Sequence, residues 1–269
     1  LHQYEADGRH FRWRVCGAVL SEIREGRGPI FWRCSHLAPD KIELIRQGFI
    51  NEKPTLFQYM HRLKVDFAKD EFEVAVCEPI LTSGKSGLVV DRDCWTRVPG
   101  LYAAGDCTGG MSEVHAHGAV VFGHVSGKGA ARDAVSSPDP ILDRGEAEAH
   151  IIEVKKHLDY SDGLDWPVFN LKLARMMSDY AFYPRSERGL QRALRHIEVF
   201  IEDTKRLRAT DPHELMRVQE VKNLVRCAEM VCWAALTRKD SRMGPSHFRA
   251  DFPERDDDNW HKWILLSKD

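Results

Sequence analysis

The sequence predicts a chain in three parts: a mixed helix-and-strand stretch, a short α/β unit and a helical remainder. Three observations support this. Residues 98–110 read Val-Pro-Gly-Leu-Tyr-Ala-Ala-Gly-Asp-Cys-Thr-Gly-Gly, a short apolar strand running into a Gly-Asp turn and a glycine pair. Beyond Ser136-Ser137-Pro138-Asp139-Pro140 the apolar residues recur almost wholly at helical spacing. Up to about residue 70, brief helical stretches alternate with loops.

The Gly-Asp turn carries the most chemical information. Gly105 permits a positive φ, and Asp106 then projects one carboxylate at the end of the apolar run. Gly109 and Gly110 let the backbone approach a ligand closely. Residues 113–134 read as a helix whose first amides point back at the same place. In an open α/β sheet, cofactors sit at that end of a strand. The β-rich run 72–81 and the short runs 88–91 and 101–104 are read as the sheet that receives one.

Earlier in the chain, Val15, Val19, Leu20 and Ile23 sit at helical spacing within residues 14–24, and Gly26-Arg27-Gly28-Pro29 stops that helix. Residues 30–34 read as a short strand. Asp40 is placed as the cap of a helix running to Gly48, and Pro54 opens another that ends near Leu63. After the boundary at 136–140, residues 141–158 form one helical segment. Leu190, Leu194, Ile197 and Ile201 form one apolar stripe; Leu215, Val218, Val221, Val225, Ala228, Val231 and Ala235 form another. Two long antiparallel helices joined near Thr210-Asp211-Pro212 would bury these stripes against each other. The polar, aromatic tail with Trp260 and Trp263 is expected to wrap over the rest.

Composition narrows the class. The 269 residues are 43% hydrophobic and 30% charged with net charge -2, a soluble profile without bias toward nucleic acid. No apolar run approaches a membrane span, and no signal peptide opens the chain. The seven cysteines form no C-x-x-C pair, which implies no metal or cluster site and fits a reducing cytoplasm. A phosphate-binding G-x-G-x-x-G turn is absent, and Gly84-Lys85-Ser86-Gly87 fails the P-loop spacing. The reading is therefore of the C-terminal part of a longer protein, either truncated or completed by another polypeptide.

Pro99-Gly100-Leu-Tyr-Ala-Ala-Gly105-Asp106 resembles the C-terminal FAD signature of the flavoproteins related to succinate dehydrogenase and fumarate reductase. Glu22-Ile-Arg-Glu-Gly-Arg-Gly28 resembles a segment of that family's capping domain, followed by a histidine-leucine step at Ser35-His36-Leu37. Phe248-Arg-Ala-Asp-Phe-Pro-Glu-Arg-Asp-Asp-Asp-Asn-Trp-His261 resembles the family's C-terminal ending. His261 and Glu78-Pro79-Ile80-Leu81 favour the adenylylsulfate reductase α-subunit-like branch.

The resemblance implies an α/β FAD-binding domain portion of the GR2 type, with part of an α+β capping domain and a C-terminal helical domain. Residues 1–70 would be the capping part, 71–137 the FAD-binding segment and 138–269 the helical domain with its tail. Gly105, Asp106, Gly109, Gly110, Val114, His115, Ala116 and Gly118 would contact FAD, Asp106 through ribityl or ribose hydroxyls. The helix N-terminus would face the pyrimidine edge and stabilise the anionic reduced flavin. Arg12 lies ten residues before Glu22, where the family has a proton-shuttling arginine, and Arg14 lies in the same region.

Departures from the pattern bear on substrate. Thr82 and Lys85 stand where dicarboxylate members carry a histidine and a methionine, and Met111 stands in place of an arginine. Succinate and fumarate are thus disfavoured. Glu113 stands where the adenylylsulfate branch has its active-site histidine, with His115 and His117 close by as candidate general acids or bases. Spacing of two keeps these histidines off one helical face; if the helix begins after them, the loop could present either one.

The expectation is an FAD-dependent oxidoreductase subunit acting on an anionic substrate. It would exchange electrons with a ferredoxin-like iron–sulfur partner, which the aromatic tail could contact. Adenylylsulfate reductase itself and a non-catalytic assembly subunit of a split complex are the alternatives.

Overall fold

The computed structural model describes residues 11–73, 86–110, 115–139, 141–242 and 247–267, with backbone alone for 11–16 and 115. The chain divides into two compact units, Leu1–Cys77 and Glu78–Asp269. No helix among the described residues is long and apolar enough to cross a membrane.

In the first unit, α1 (Phe11–Arg24) buries Ala18, Val19 and Leu20. Its end is built by the Glu22–Gly28 motif. Gly26 takes φ +78° and donates to the Ile23 carbonyl, while the Arg27 amide reaches back to Glu22 O at 2.8 Å. That pairing is a Schellman termination, which needs a left-handed residue at Gly26. The Arg27 guanidinium then grips Glu22 at 2.5 and 2.8 Å and Glu25 at 2.7 Å.

Strand β1 (Phe31–Arg33) pairs antiparallel with β2 (Glu71–Glu73), setting Trp32 opposite Phe72 and Arg33 opposite Glu71. Trp32 and Phe72 join Phe49 and Phe67 in one aromatic cluster, with centroids 5.5–6.3 Å apart. Between the strands lie α2 (Pro39–Glu52) and α3 (Pro54–Arg62). Ala38, not Asp40, caps α2; Asp40 sits in its first turn, where its charge suits the helix dipole. Gly48 continues inside α2, which ends before Lys53 because the following Pro54 disfavours helical backbone there. The run 72–81 was assigned above to the cofactor sheet. Its described beginning instead belongs to the first unit through β1, and residues 74–81 lie outside the described residues.

In the second unit, residues 91–103 form a tight hairpin followed by α4 (His115–Ser136). Five further helices follow: α5 (Arg144–Lys155), α6 (Trp166–Tyr180), α7 (Glu187–Asp203), α8 (Pro212–Thr237) and the short α9 (Asp257–Trp260). Two-residue strands β3 (Leu164–Asp165) and β4 (Leu207–Arg208) pair in parallel. The core lies where Phe169, Leu173 and Met177 of α6 meet Leu190, Leu194 and Ile197 of α7 and Val218, Val221 and Val225 of α8. Both predicted stripes are these buried faces. Asp211 caps α8 by accepting from the Glu214 amide at 2.8 Å, and Glu214 accepts from the Thr210 amide and hydroxyl.

The C-terminal motif is a clasp over this bundle. Arg249 is fully buried. Its Nη1 donates to the carbonyls of Ala235, Leu236 and Arg238 at 2.6, 3.2 and 2.8 Å, around the end of α8. Its Nε and Nη2 donate to the two carboxylate oxygens of Asp251 at 2.8 Å each. Asp251 in turn accepts the first amide of α7, from Glu187, at 2.8 Å. The Arg249 contact holds the Asp251 carboxyl below its usual range. Further along, Asp240 is fully buried between Arg238 and Arg242. Arg238 also donates to the carbonyls of Trp260 and Lys262. Asp256 caps α9 through the amide and side chain of Asn259, and Asp257 pairs with Arg255.

Two histidines stand outside the sequence reading, His157 fully buried and His247 half-buried. His157 Nδ1 lies 2.6 Å from the carbonyl of Leu207, fastening the turn after α5 to β4. His247 Nδ1 lies 3.2 Å from Arg185 Nη1. Burial, reinforced by Arg185, pushes the His247 imidazole down to about 3.

We predict that Arg249→Ala destabilises the chain by about 2–4 kcal/mol, since it removes a fully buried side chain and leaves the last carbonyls of α8 and the Asp251 carboxylate without their donor. Urea unfolding measures this; an unchanged midpoint refutes it. We also predict that stability is full above about pH 6.5 and falls as pH drops toward the folded-state value of His247, because the unfolded chain takes up the proton first. His247→Gln should flatten the decline, read as urea midpoints from pH 7.5 down to 4.5.

Candidate functional site

The predicted Gly-Asp turn is built on a cinched loop rather than on an extended strand. Residues 101–104 form the return arm of a hairpin. Val98-Pro99-Gly100-Leu101 is a type II turn, with Gly100 at φ +74° and the Leu101 amide donating to Val98 O at 3.0 Å. Trp95 bridges Tyr102, and Asp91 organises the other end by accepting from the amides of Asp93 and Trp95 at 2.9 Å. The run at 88–91 likewise makes only a single parallel bridge, Leu88 with Thr108.

That bridge is the neck of the loop. The Leu88 amide donates to Cys107 O at 2.8 Å and the Gly109 amide to Leu88 O at 3.0 Å. Glycine is required at Gly87, and Gly109 leaves little room for a side chain. A Cβ on Gly87, which has φ +154°, would fall 2.5 Å from Cys107 O. One on Gly109 would fall 3.1 Å from Gly87 O. The Gly84–Gly87 run dismissed above as a failed P-loop therefore supplies a closely approached backbone at Gly87. Its glycine was the signal that sequence reasoning passed over.

Between neck and helix lies the turn itself. Gly105 takes φ +79° and its Cβ position lies 3.4 Å from Ala119 Cβ of α4, so the Gly105–Cys107 turn rests on the first turns of that helix. Thr108 is fully buried and its Oγ1 donates to Gly105 O at 2.7 Å, closing the turn from below. Asp106 is exposed, and among the described residues no hydrogen bond or ion pair occupies its carboxylate. Gly110, at φ +79°, carries the chain away toward α4.

Three contacts lock the hairpin to α4. Tyr102 Oη donates to Asp133 at 2.5 Å, which pushes the phenol up to about 12. Arg132 meets Asp93 at 3.3 Å, and Gly129 leaves the space that the Tyr102 ring fills.

The structure brings Gly105, Asp106, Gly109 and Gly110 together with the start of α4, where Ala116 and His117 are exposed and Gly118 is buried. Glu113 and Val114, with Met111, lie outside the described residues. His115 and His117 are both within α4, so no loop presents either one; roughly 200° separates them around the helix. Arg12 and Arg14 lie on α1, with only their backbone described. No group of three or more potential metal-ligating residues occurs among the described residues.

A fumarate reductase flavoprotein C-terminal model matches residues 170–269, the stretch from α6 through the clasp. An uncharacterised FAD-dependent oxidoreductase of Methanocaldococcus jannaschii is 30% identical over 263 residues, covering 94% of this chain and 46% of that protein. The fumarate reductase flavoprotein subunit of Escherichia coli is 27% identical over 201 residues, covering 68% of this chain and 33% of that one. Among solved structures, the Mycobacterium smegmatis Sdh1 complex superposes with TM-score 0.70 at 26% identity, over 93% of this chain and 43% of its own. Adenylylsulfate reductase of Archaeoglobus fulgidus superposes with TM-score 0.72 at 23% identity, over 93% and 47%, which shows a shared fold. Residues 170–269 thus carry the fumarate reductase flavoprotein C-terminal domain, and the chain as a whole is similar to FAD-dependent flavoproteins of the fumarate reductase and succinate dehydrogenase kind. It spans about half the length, or less, of the curated relatives it matches.

We predict that Gly87→Ala opens the neck and destabilises the second unit by about 1–3 kcal/mol, through a steric clash and a strained φ together. Hydrogen exchange at the amides of Leu88 and Gly109 should rise; unchanged protection there would refute the cinch.

Proposed function

We propose that this chain is the C-terminal half of an FAD-dependent oxidoreductase. On this reading residues 1–70 belong to a capping domain, 71–137 to a GR2-type FAD-binding domain and 138–269 to a helical domain. The N-terminal FAD-binding half would lie on the same or a separate polypeptide. The supporting observation is the Asp106 turn: a rigid glycine-cinched cradle with one exposed, unengaged carboxylate resting on the start of a long helix. Those groups fit a flavin nucleotide. Asp106 would accept from ribityl or ribose hydroxyls, while Gly105, Gly109 and Gly110 let the cofactor backbone come close. Val114, His115, Ala116 and Gly118 would line the approach at the start of α4.

Bound flavin would supply the hydride or electron transfer. The residues of this chain would do the rest. Arg12, or Arg14, would hold an anionic substrate and relay a proton through a guanidinium that stays charged at working pH. Glu113, His115 or His117 would donate or accept the substrate proton. Since positions 115 and 117 stand about 200° apart around α4, one of these histidines at most serves the reacting atoms. The relatives are flavoprotein subunits, so a ferredoxin-like iron–sulfur protein is the proposed electron partner, in the cytoplasm. Thr82, Lys85 and Met111 keep the substrate outside the succinate–fumarate pair.

The test is flavin retention. Purified with its FAD-binding half, the protein should be yellow, and Asp106→Ala should lower flavin occupancy about tenfold or more, as loss of a charge-assisted hydrogen bond does. Visible flavin absorbance per protein measures it. A colourless native complex would favour a non-catalytic assembly subunit, and full occupancy in Asp106→Ala would remove Asp106 from the site.

A further inference from the structure

On the outer side of the helical bundle, α6 and α7 enclose two surface cavities of about 460 and 450 Å³ that share Tyr180 and His196. The two rings stack with centroids 5.4 Å apart and planes 14° from parallel, forming a flat wall between the cavities. The lining residues of α6 run from Val168 to Tyr180, about 18 Å of helix at the usual rise. Along this length the groove exposes apolar side chains that the bundle core does not use. Val168 is 52% exposed, Leu171 71% and Val199 57%.

The rim is basic. Lys172 borders one cavity, and Arg192 and Arg195, one turn apart on α7, border the other. None of the three has an ion-pair partner among the described residues. Arg175 differs, being held by Asp179, the acid in the lining, at 3.2 Å. Three uncommitted cations around an apolar floor thus stand on a protein whose net charge is -2.

We propose that this groove docks an acidic amphipathic helix of a partner polypeptide. Leu-type side chains spaced by one and two turns would fill the floor at Val168, Leu171 and Val199. Carboxylates flanking them would meet Lys172, Arg192 and Arg195. The groove length suits three turns of helix, and the charge pattern selects sign and orientation more than it adds affinity. An apolar floor disfavours a nucleic-acid strand, which presents phosphates along its whole length. The proposal stands independently of the flavin assignment, since it uses no residue of the Asp106 turn.

The probe is a synthetic helix of about 14 residues with a leucine stripe flanked by glutamates, fluorescently labelled and titrated with the full chain. Saturable binding is expected, and it should weaken about tenfold or more in the double variant Arg192→Glu with Arg195→Glu. A peptide with lysines for glutamates should regain affinity for that variant. Both arginines are exposed, so an unchanged melting curve verifies folding. Equal binding of acidic and basic peptides, no saturable binding, or displacement by a single-stranded oligonucleotide would each overturn the proposal. So would sedimentation showing that native chains self-associate through this groove and that the double variant disperses them.

Discussion

The second unit depends on one side chain, the buried guanidinium of Arg249. Its three nitrogens make five hydrogen bonds, to carbonyls around the end of α8 and to both oxygens of Asp251. Asp251 passes the connection on to the first amide of α7. A helix C-terminus leaves carbonyls without partners, and a helix N-terminus leaves amides without partners. Here one Arg–Asp pair answers both at the place where α8 ends and α7 begins. A lysine could not divide its donors in this way, because it lacks the planar fork. Desolvating such a pair costs free energy, and the cost is offset because each guanidinium nitrogen finds an acceptor.

This arrangement changes what the family motifs mean. The ending with Arg249, Asp251, Phe252, Asp256 and Asn259 is a clasp, and the segment from Glu22 to Gly28 is a helix terminator with an arginine latch. The hydrogen bonds of both motifs run to helix ends and to their own turns. Strongly patterned polar sequence in this chain therefore marks where backbone ends must be satisfied. The chemistry-bearing residues, Asp106 above all, sit in a plainer run of small side chains.

The helical part was legible because burial writes a period into the sequence. Leu190, Leu194 and Ile197 of α7, and Val218, Val221 and Val225 of α8, are spaced by one turn and lie in the core. The turn at Gly105–Asp106 was legible as well, since Gly105 adopts the positive φ that the reading gave it. The strands around it were not. Four apolar residues at 101–104 look like a buried strand, yet Pro99-Gly100 folds them back on Trp95 and Thr96 as half of a hairpin. Local turn chemistry overrode hydrophobic pattern there. Gly87 was missed because its role is set by a carbonyl twenty residues away, a contact that no local window contains. The two histidines His157 and His247 were missed for the same reason: His157 answers to Leu207, and His247 to Arg185.

The crossing of Gly87 and Gly109 has a further consequence for how this region can vary. Two hydrogen bonds pin the base of the loop, whereas its apex at Pro99 and Gly100 is exposed to solvent. Lengthening a loop already closed at its base costs little, because closure entropy grows only with the logarithm of length. Residues added at the apex would extend outward and leave the acidic turn where it is. Evolution can therefore lengthen this finger at its tip, while Gly87 at its root admits no side chain and Gly109 leaves little room for one.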